Sequence, residues 1–208
     1  ASAGIDPATG TIYLYYLDRT ANRSKVATAE DGLNFGEGTE TRTYAFDSHN
    51  VQLPDGTWRR YQYDNRAGQM TSMSSTDGLS FTPDDGVRYT PQEDDKGTLG
   101  VYDFHITASG TVLMVYLGDL PGTNNLRRAV STDNGWTFTF DRADVLGDAA
   151  LGGGPNSFVD PKLIELPDGR VRLIVMKQGS IYSFIADEDL ETFTQEPGAR
   201  LSTTDFTE

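Results

Sequence analysis

The chain has no cysteine, only two histidines, and 17 Lys+Arg against 31 Asp+Glu. Without cysteine there are no disulfides and no thiol chemistry, and both an oxidising exterior and a reducing cytosol stay open. A net charge of -14 gives a surface that repels phosphate backbones, which argues against nucleic acid as a partner. No apolar run reaches the roughly 18 to 20 residues of a membrane span. No segment carries an apolar helical stripe over three turns, so the chain reads as all-β. The start "ASAGIDPATG" shows no signal peptide and no Met, which reads as a trimmed N-terminus. The Gly-rich stretch Gly147 to Phe158 lacks the Lys and the strand-to-helix context of a phosphate loop, and reads as a crossover.

Glycine, by contrast, is plentiful, with 22 residues gathered in short polar clusters that favour many short strands. Three landmarks recur in a fixed order. The first is a turn ending in Gly before an alternating apolar strand: "IDPATGTIYLYYL", "VQLPDGTWRRYQY", "ITASGTVLMVYL" and "IELPDGRVRLIVM". The second is a strand leading into an Asp-centred turn: "KVATAEDGLNF", "MTSMSSTDGLSF", "LRRAVSTDNGWTF" and "IYSFIADEDLETF". The third is a weaker outer strand, such as "GVRYT" or "GARLS". The period of roughly 50 residues matches a four-stranded propeller blade. We therefore expect an all-β β-propeller of four-stranded antiparallel blades, with four blades at about 1-45, 46-100, 101-157 and 158-208 in one domain. Four blades make either a compact ring or a length of a larger propeller. A β-sandwich would leave the repeated order unexplained.

The turn Ser131 to Phe138, "STDNGWTF", resembles the Asp-box of sialidases and related propellers. "Ser75-Thr76-Asp77-Gly78-Leu79-Ser80-Phe81" is one residue shorter, "Glu30-Asp31-Gly32-Leu33-Asn34-Phe35" lacks the Ser, and "Glu188-Asp189-Leu190-Glu191-Thr192-Phe193" lacks the Gly. The physical reading is structural: Asp and Ser oxygens accept backbone N–H bonds and Gly supplies positive φ. These carboxylates lack the ligand-dense spacing of a calcium loop. We expect no metal and no cofactor. The blade repeat also resembles the five-bladed glycoside hydrolases of the arabinanase and xylosidase kind. That resemblance implies a glycan ligand, key carboxylates on inner strands, and an extracellular or cell-surface location. Sialidase activity is not implied, because Arg59, Arg60, Arg127 and Arg128 give no assignable arginine triad.

Chemistry is expected where the inner strands begin, in "FDSHNVQLPDG", "YDFHITASG" and "VDPKLIELPDG". Asp47, Asp103 and Asp160 read there as equivalent acids, each followed two residues later by a base, His49, His105 or Lys162. Residues i and i+2 of a strand share a face. Crowded carboxylates push their pKa values apart, which suits glycosidic cleavage by a carboxyl pair. On this reading Asp47 is the base or nucleophile, Asp103 orients, and Asp160 is the acid. His49, His105, Lys162 and Tyr102 contact the ligand, a glycan or another small molecule. The bland alternative is that the three acids cap strand starts through backbone N–H groups. At the level of function, the alternative to an enzyme is a non-catalytic module that binds a glycan or a protein.

Overall fold

A computed structural model describes residues 2–6, 8–41, 48–93, 99–117, 125–151 and 159–202. The described residues form four antiparallel four-stranded sheets, and in each the strands lie side by side in chain order. Blade 1 holds β1 (Ser2–Ile5), β2 (Ile12–Asp18), β3 (Arg23–Ala29) and β4 (Thr39–Glu40); blade 2 holds β5 (His49–Gln52), β6 (Trp58–Asp64), β7 (Gln69–Ser75) and β8 (Thr82–Pro83). Blade 3 holds β9 (Tyr102–Ile106), β10 (Val112–Tyr116), β11 (Leu126–Ser131) and β12 (Thr139–Leu146); blade 4 holds β13 (Val159–Glu165), β14 (Val171–Lys177), β15 (Ser180–Ala186) and β16 (Phe193–Gln195). The fold is a β-propeller. The chain divides into two compact units, Ala1–Thr90 with blades 1 and 2, and Pro91–Glu208 with blades 3 and 4.

The first hairpin of each blade forms because its turn closes on a glycine that tolerates positive φ. Gly10, Gly56, Gly110 and Gly169 have φ of 74, 83, 85 and 81°. The strand after the turn then alternates. On β14, Val171, Leu173 and Val175 are buried while Arg172 and Ile174 are only half-buried. Within the second unit those three side chains share a cluster with Leu113, Val115 and Leu117 of blade 3, and with Leu126, Leu146, Phe184, Ala186 and Leu190. Each such buried side chain contributes about 1.5–3 kcal/mol. Within the first unit the core is smaller and more aromatic: Tyr15 and Val26 of blade 1 pack on Trp58, Met73 and Phe81 of blade 2. Arg60 is buried there, its guanidinium 4.1 Å from the Phe81 ring centre and 5.5 Å from that of Tyr15.

The recurrent turns are held internally by their aspartates, and those of blades 2 and 4 also fasten neighbouring blades. In blade 2 the Ser75 Oγ accepts from Gly78 N (3.0 Å), and Asp77 Oδ1 accepts from Leu79 N and Ser80 N (both 2.8 Å). The Tyr15 hydroxyl of blade 1 donates to the Gly78 carbonyl at 2.9 Å. Gly78 has φ +69, and a Cβ there would come within 3.1 Å of that hydroxyl, so the position requires glycine. In blade 3, Asp133 accepts from Thr137 N (2.9 Å) and from the Thr137 hydroxyl (2.5 Å). Blade 4 corrects the expected alignment. Its turn aspartate is Asp187, which accepts from Glu191 N (2.7 Å) and from the Thr192 hydroxyl (3.0 Å). Leu190, at φ 53, takes the conformation that Gly holds elsewhere.

The outer strands also differ from expectation. β8 and β16 pair before "GVRYT" and "GARLS", and those later segments return for a single bridge each, Met70 to Tyr89 and Ile181 to Leu201. In blade 3 one longer strand, β12, spans the full edge with two register shifts against β11.

Candidate functional site

The starts of the inner strands are aligned by their hairpins. His49 lies opposite Tyr61, Asp103 opposite Val115, and Lys162 opposite Ile174; each partner is five residues past its hairpin glycine. Ser2, opposite Tyr15, completes the set. Asp103 is thus in register with His49 and Lys162, not with Asp160, which corrects the expected equivalence of the three acids. The cause is spacing: Asp160 stands nine positions before its hairpin glycine and Asp103 only seven. A shift of two keeps a residue on the same face, so alternation alone does not expose it. Asp47 and Phe46 lie outside the described residues. By sequence, Asp47 precedes His49 by two positions, as Asp160 precedes Lys162.

Asp103 spends its carboxylate on backbone. Oδ1 accepts from its own Phe104 N (3.0 Å), and Oδ2 reaches across to blade 4, accepting from Leu163 N (2.8 Å). The first unit uses the same two register positions differently: Asn50 Nδ2 donates to Ser2 Oγ at 2.9 Å. This position is therefore a latch between neighbouring inner strands. His105 shares the Asp103 face but is buried, 7% exposed, against the blade 4 turn. Burial pulls its pKa below 6.5, opposed by Glu165, Glu188 and Asp189 and by a hydrogen bond with the Glu188 backbone. Its Nε2 has no partner among the described residues. Tyr102 is 1% exposed and packs edge-on against Phe104. Neither side chain offers a ligand an open face, contrary to the expectation for both. His49 and Lys162 are half-buried.

Asp160 differs from all of these. It is exposed, and it stands in a register shift of β13 between Val159 and Lys162, at φ 52. Its carboxylate has no hydrogen bond or ion pair among the described residues. The adjacent crossover has a short 3-10 turn at Asp148–Leu151, and the Lys177 ammonium of β14 donates to the Leu151 carbonyl. Among the described residues no group of three or more His, Asp or Glu side chains is placed to hold a metal ion, and no helix is long and apolar enough to cross a membrane.

The candidate arginines are structural. Arg59, Arg60, Arg127 and Arg128 are all buried. Arg60 Nε bonds Asn50 Oδ1 (2.8 Å), and Arg59 Nε lies 3.5 Å from Asp84. Arg128 holds Asp141 and Glu191 and donates to the carbonyls of Asp189 (2.5 Å) and Leu190 (3.3 Å) in the blade 4 turn. Sequence reasoning missed Ser2 and Asn50, whose small polar side chains carry no signature, and Asp187, which the spacing to Phe193 disguised.

No protein-family model and no curated protein matches the chain. Solved structures do. Over 96% of the chain it is similar to an endo-arabinase from Bacteroides thetaiotaomicron, at 15% identity and a TM-score of 0.68, covering 80% of that protein. It is similar to an exo-beta-1,3-galactanase from Phanerochaete chrysosporium over 93% of its length, at 13% identity and a TM-score of 0.65, covering 49% of that protein. A third likeness is to an alpha-L-arabinofuranosidase from Clostridium thermocellum, at 14% identity and a TM-score of 0.65, over 95% of this chain and 72% of that one. The fold is shared with all three. At these identities the likeness extends to the fold alone.

Proposed function

We propose that the chain is a carbohydrate-active β-propeller of the glycoside hydrolase kind, acting on a glycan at the starts of its inner strands. The observation that supports this reading is the fold likeness to an endo-arabinase over 96% of the chain. The exposed carboxylate of Asp160, without a partner among the described residues, where an inner strand begins is consistent with it. In this proposal Asp47 and Asp160 are the two carboxyl groups that glycosidic cleavage requires, with Asp47 as base or nucleophile and Asp160 as acid. Asp103 orients, and His49 and Lys162 contact the ligand. The blades work as one domain, residues 1–208, located outside the cell or at its surface, and their aspartate turns are Asp-boxes.

The test is turnover of aryl-glycosides and binding of arabinan and β-1,3-galactan oligosaccharides by the whole chain. Turnover lost in both Asp47→Asn and Asp160→Asn supports the reading; turnover unchanged in both removes the carboxyl assignment. A second reading, a glycan-binding module without hydrolysis, is favoured by one observation: both carboxylate oxygens of Asp103 already accept backbone N–H groups. Saturable oligosaccharide binding with no hydrolysis of any of these substrates would select it.

A further inference from the structure

Asp160 is disfavoured by its backbone on two counts. A residue with a Cβ seldom adopts positive φ, although Asp and Asn do so more readily than most, and Asp160 has φ 52. A residue before proline is pushed toward extended backbone, and Pro161 follows it. Asn22, Asn134, Gln178 and Leu190 also have positive φ, but none of them precedes a proline. The strain lies within a register shift, so Asp160 gains no ladder pairing in return. It gains no side-chain partner among the described residues either, and its carboxylate is open to solvent. Strain that local contacts do not repay accumulates at functional positions. Just past the shift, the chain is tied down: Leu163 N donates to Asp103 Oδ2 at 2.8 Å, and Lys162 re-enters the ladder opposite Ile174.

We propose that Asp160 is the ligand-contacting carboxylate of this end of blade 4, held out of the sheet by a strained bulge, and that Asp103 is a positioning residue that closes that bulge from blade 3. The ligand class is a polyhydroxylated sugar, whose hydroxyls donate to the exposed carboxylate. This inference rests on the glycan reading above. It adds to that reading how Asp103 acts: Asp103 touches no ligand, and its effect passes through the backbone of β13.

The experiment has two independent arms on the whole chain. In the first, melting temperatures of Asp160→Gly and Asp160→Ala are compared. Both remove the carboxylate, and only glycine tolerates the φ, so D160G melts above D160A; equal melting overturns the strain. In the second, calorimetric titration with arabinan or β-1,3-galactan oligosaccharides is run on wild type, D160N, D103N and the double variant. A lost charged hydrogen bond weakens D160N by about 10- to 100-fold. D103N weakens wild type but adds nothing to D160N, because it acts through the group already removed. A D160N variant that binds as wild type, or a D103N effect of equal size in both backgrounds, overturns the assignment. A wild type that binds neither oligosaccharide overturns the glycan reading and the ligand assignment with it, whereas the melting arm still decides the strain.

Discussion

Single residues in the aspartate turns carry more hydrogen bonds than their exposure would indicate. Asp133 accepts from Ser131 Oγ, Thr137 N and Thr137 Oγ1. Asp133→Ala should therefore cost about 1–2 kcal/mol, read as a lowered urea midpoint. Leu190 sets two effects against each other. Replacing it with Gly relieves a positive φ worth about 1–2 kcal/mol, but removes a side chain with 0% exposure, worth about 2–5 kcal/mol. Packing wins, so Leu190→Gly should lower stability despite matching the other turns. His105 should make stability depend on pH. Burial lowers its pKa, so the folded chain favours neutral imidazole while the unfolded chain takes up a proton near 6.5. Its contribution is fully present above about pH 6.5 and is lost as pH falls through the lowered folded value. His105→Gln should flatten the melting temperature across that window. Below it, acid loss from the turns remains: the backbone N–H and side chain of Asn34 hold Asp31 at about 2, and Ser80 N–H bonding first of all lowers Asp77. Their contribution is present above the ordinary carboxylate range and disappears as pH falls toward those folded values.

Strands and turns show what spacing can and cannot convey. The first hairpins were legible because each has a Gly-closed turn before an alternating strand, and all four form. The outer strands were not, because β8 and β16 are two and three residues long and carry no alternation to read. Asp103 was legible as an inner-strand acid that accepts backbone N–H groups, the alternative reading of the sequence. It was not legible as a latch that reaches the neighbouring blade, because spacing within one strand does not reveal a cross-blade partner. Asp187 was hidden because the positive-φ position after the Asp varies: the next residue in blades 1 and 2, the next two in blade 3 (Asn134 and Gly135), and only the third in blade 4. One repeated element had no signal at all. Asp84 and Glu196 follow β8 and β16, each taking a bond from a serine of the third strand, Ser72 and Ser183 (both 2.6 Å), and each lying beside an arginine of the second, Arg59 and Arg172. At the junction of blades 3 and 4 the fastening depends on Arg128. Arg128→Met strands two carbonyls and should cost about 2–4 kcal/mol in denaturant unfolding. Arg128→Lys keeps charge but not the fork, and should fall between.

At the scale of the molecule the two units differ in what holds them. Residues 91–208 bury a large aliphatic cluster centred on Leu113, Val115, Val171, Leu173 and Phe184. Residues 1–90 rely on a smaller aromatic cluster with a buried arginine. Expressed separately, 91–208 should keep a cooperative thermal transition by near-UV circular dichroism, and 1–90 should melt lower or lose cooperativity; the reverse order would show that aliphatic burial does not set the balance. Every sheet among the described residues is built from four consecutive strands, none borrowed from a distant stretch. A nascent polypeptide leaving the ribosome thus meets no waiting partner: each blade can be completed as soon as its own last strand emerges, so that synthesis itself dictates the sequence of assembly.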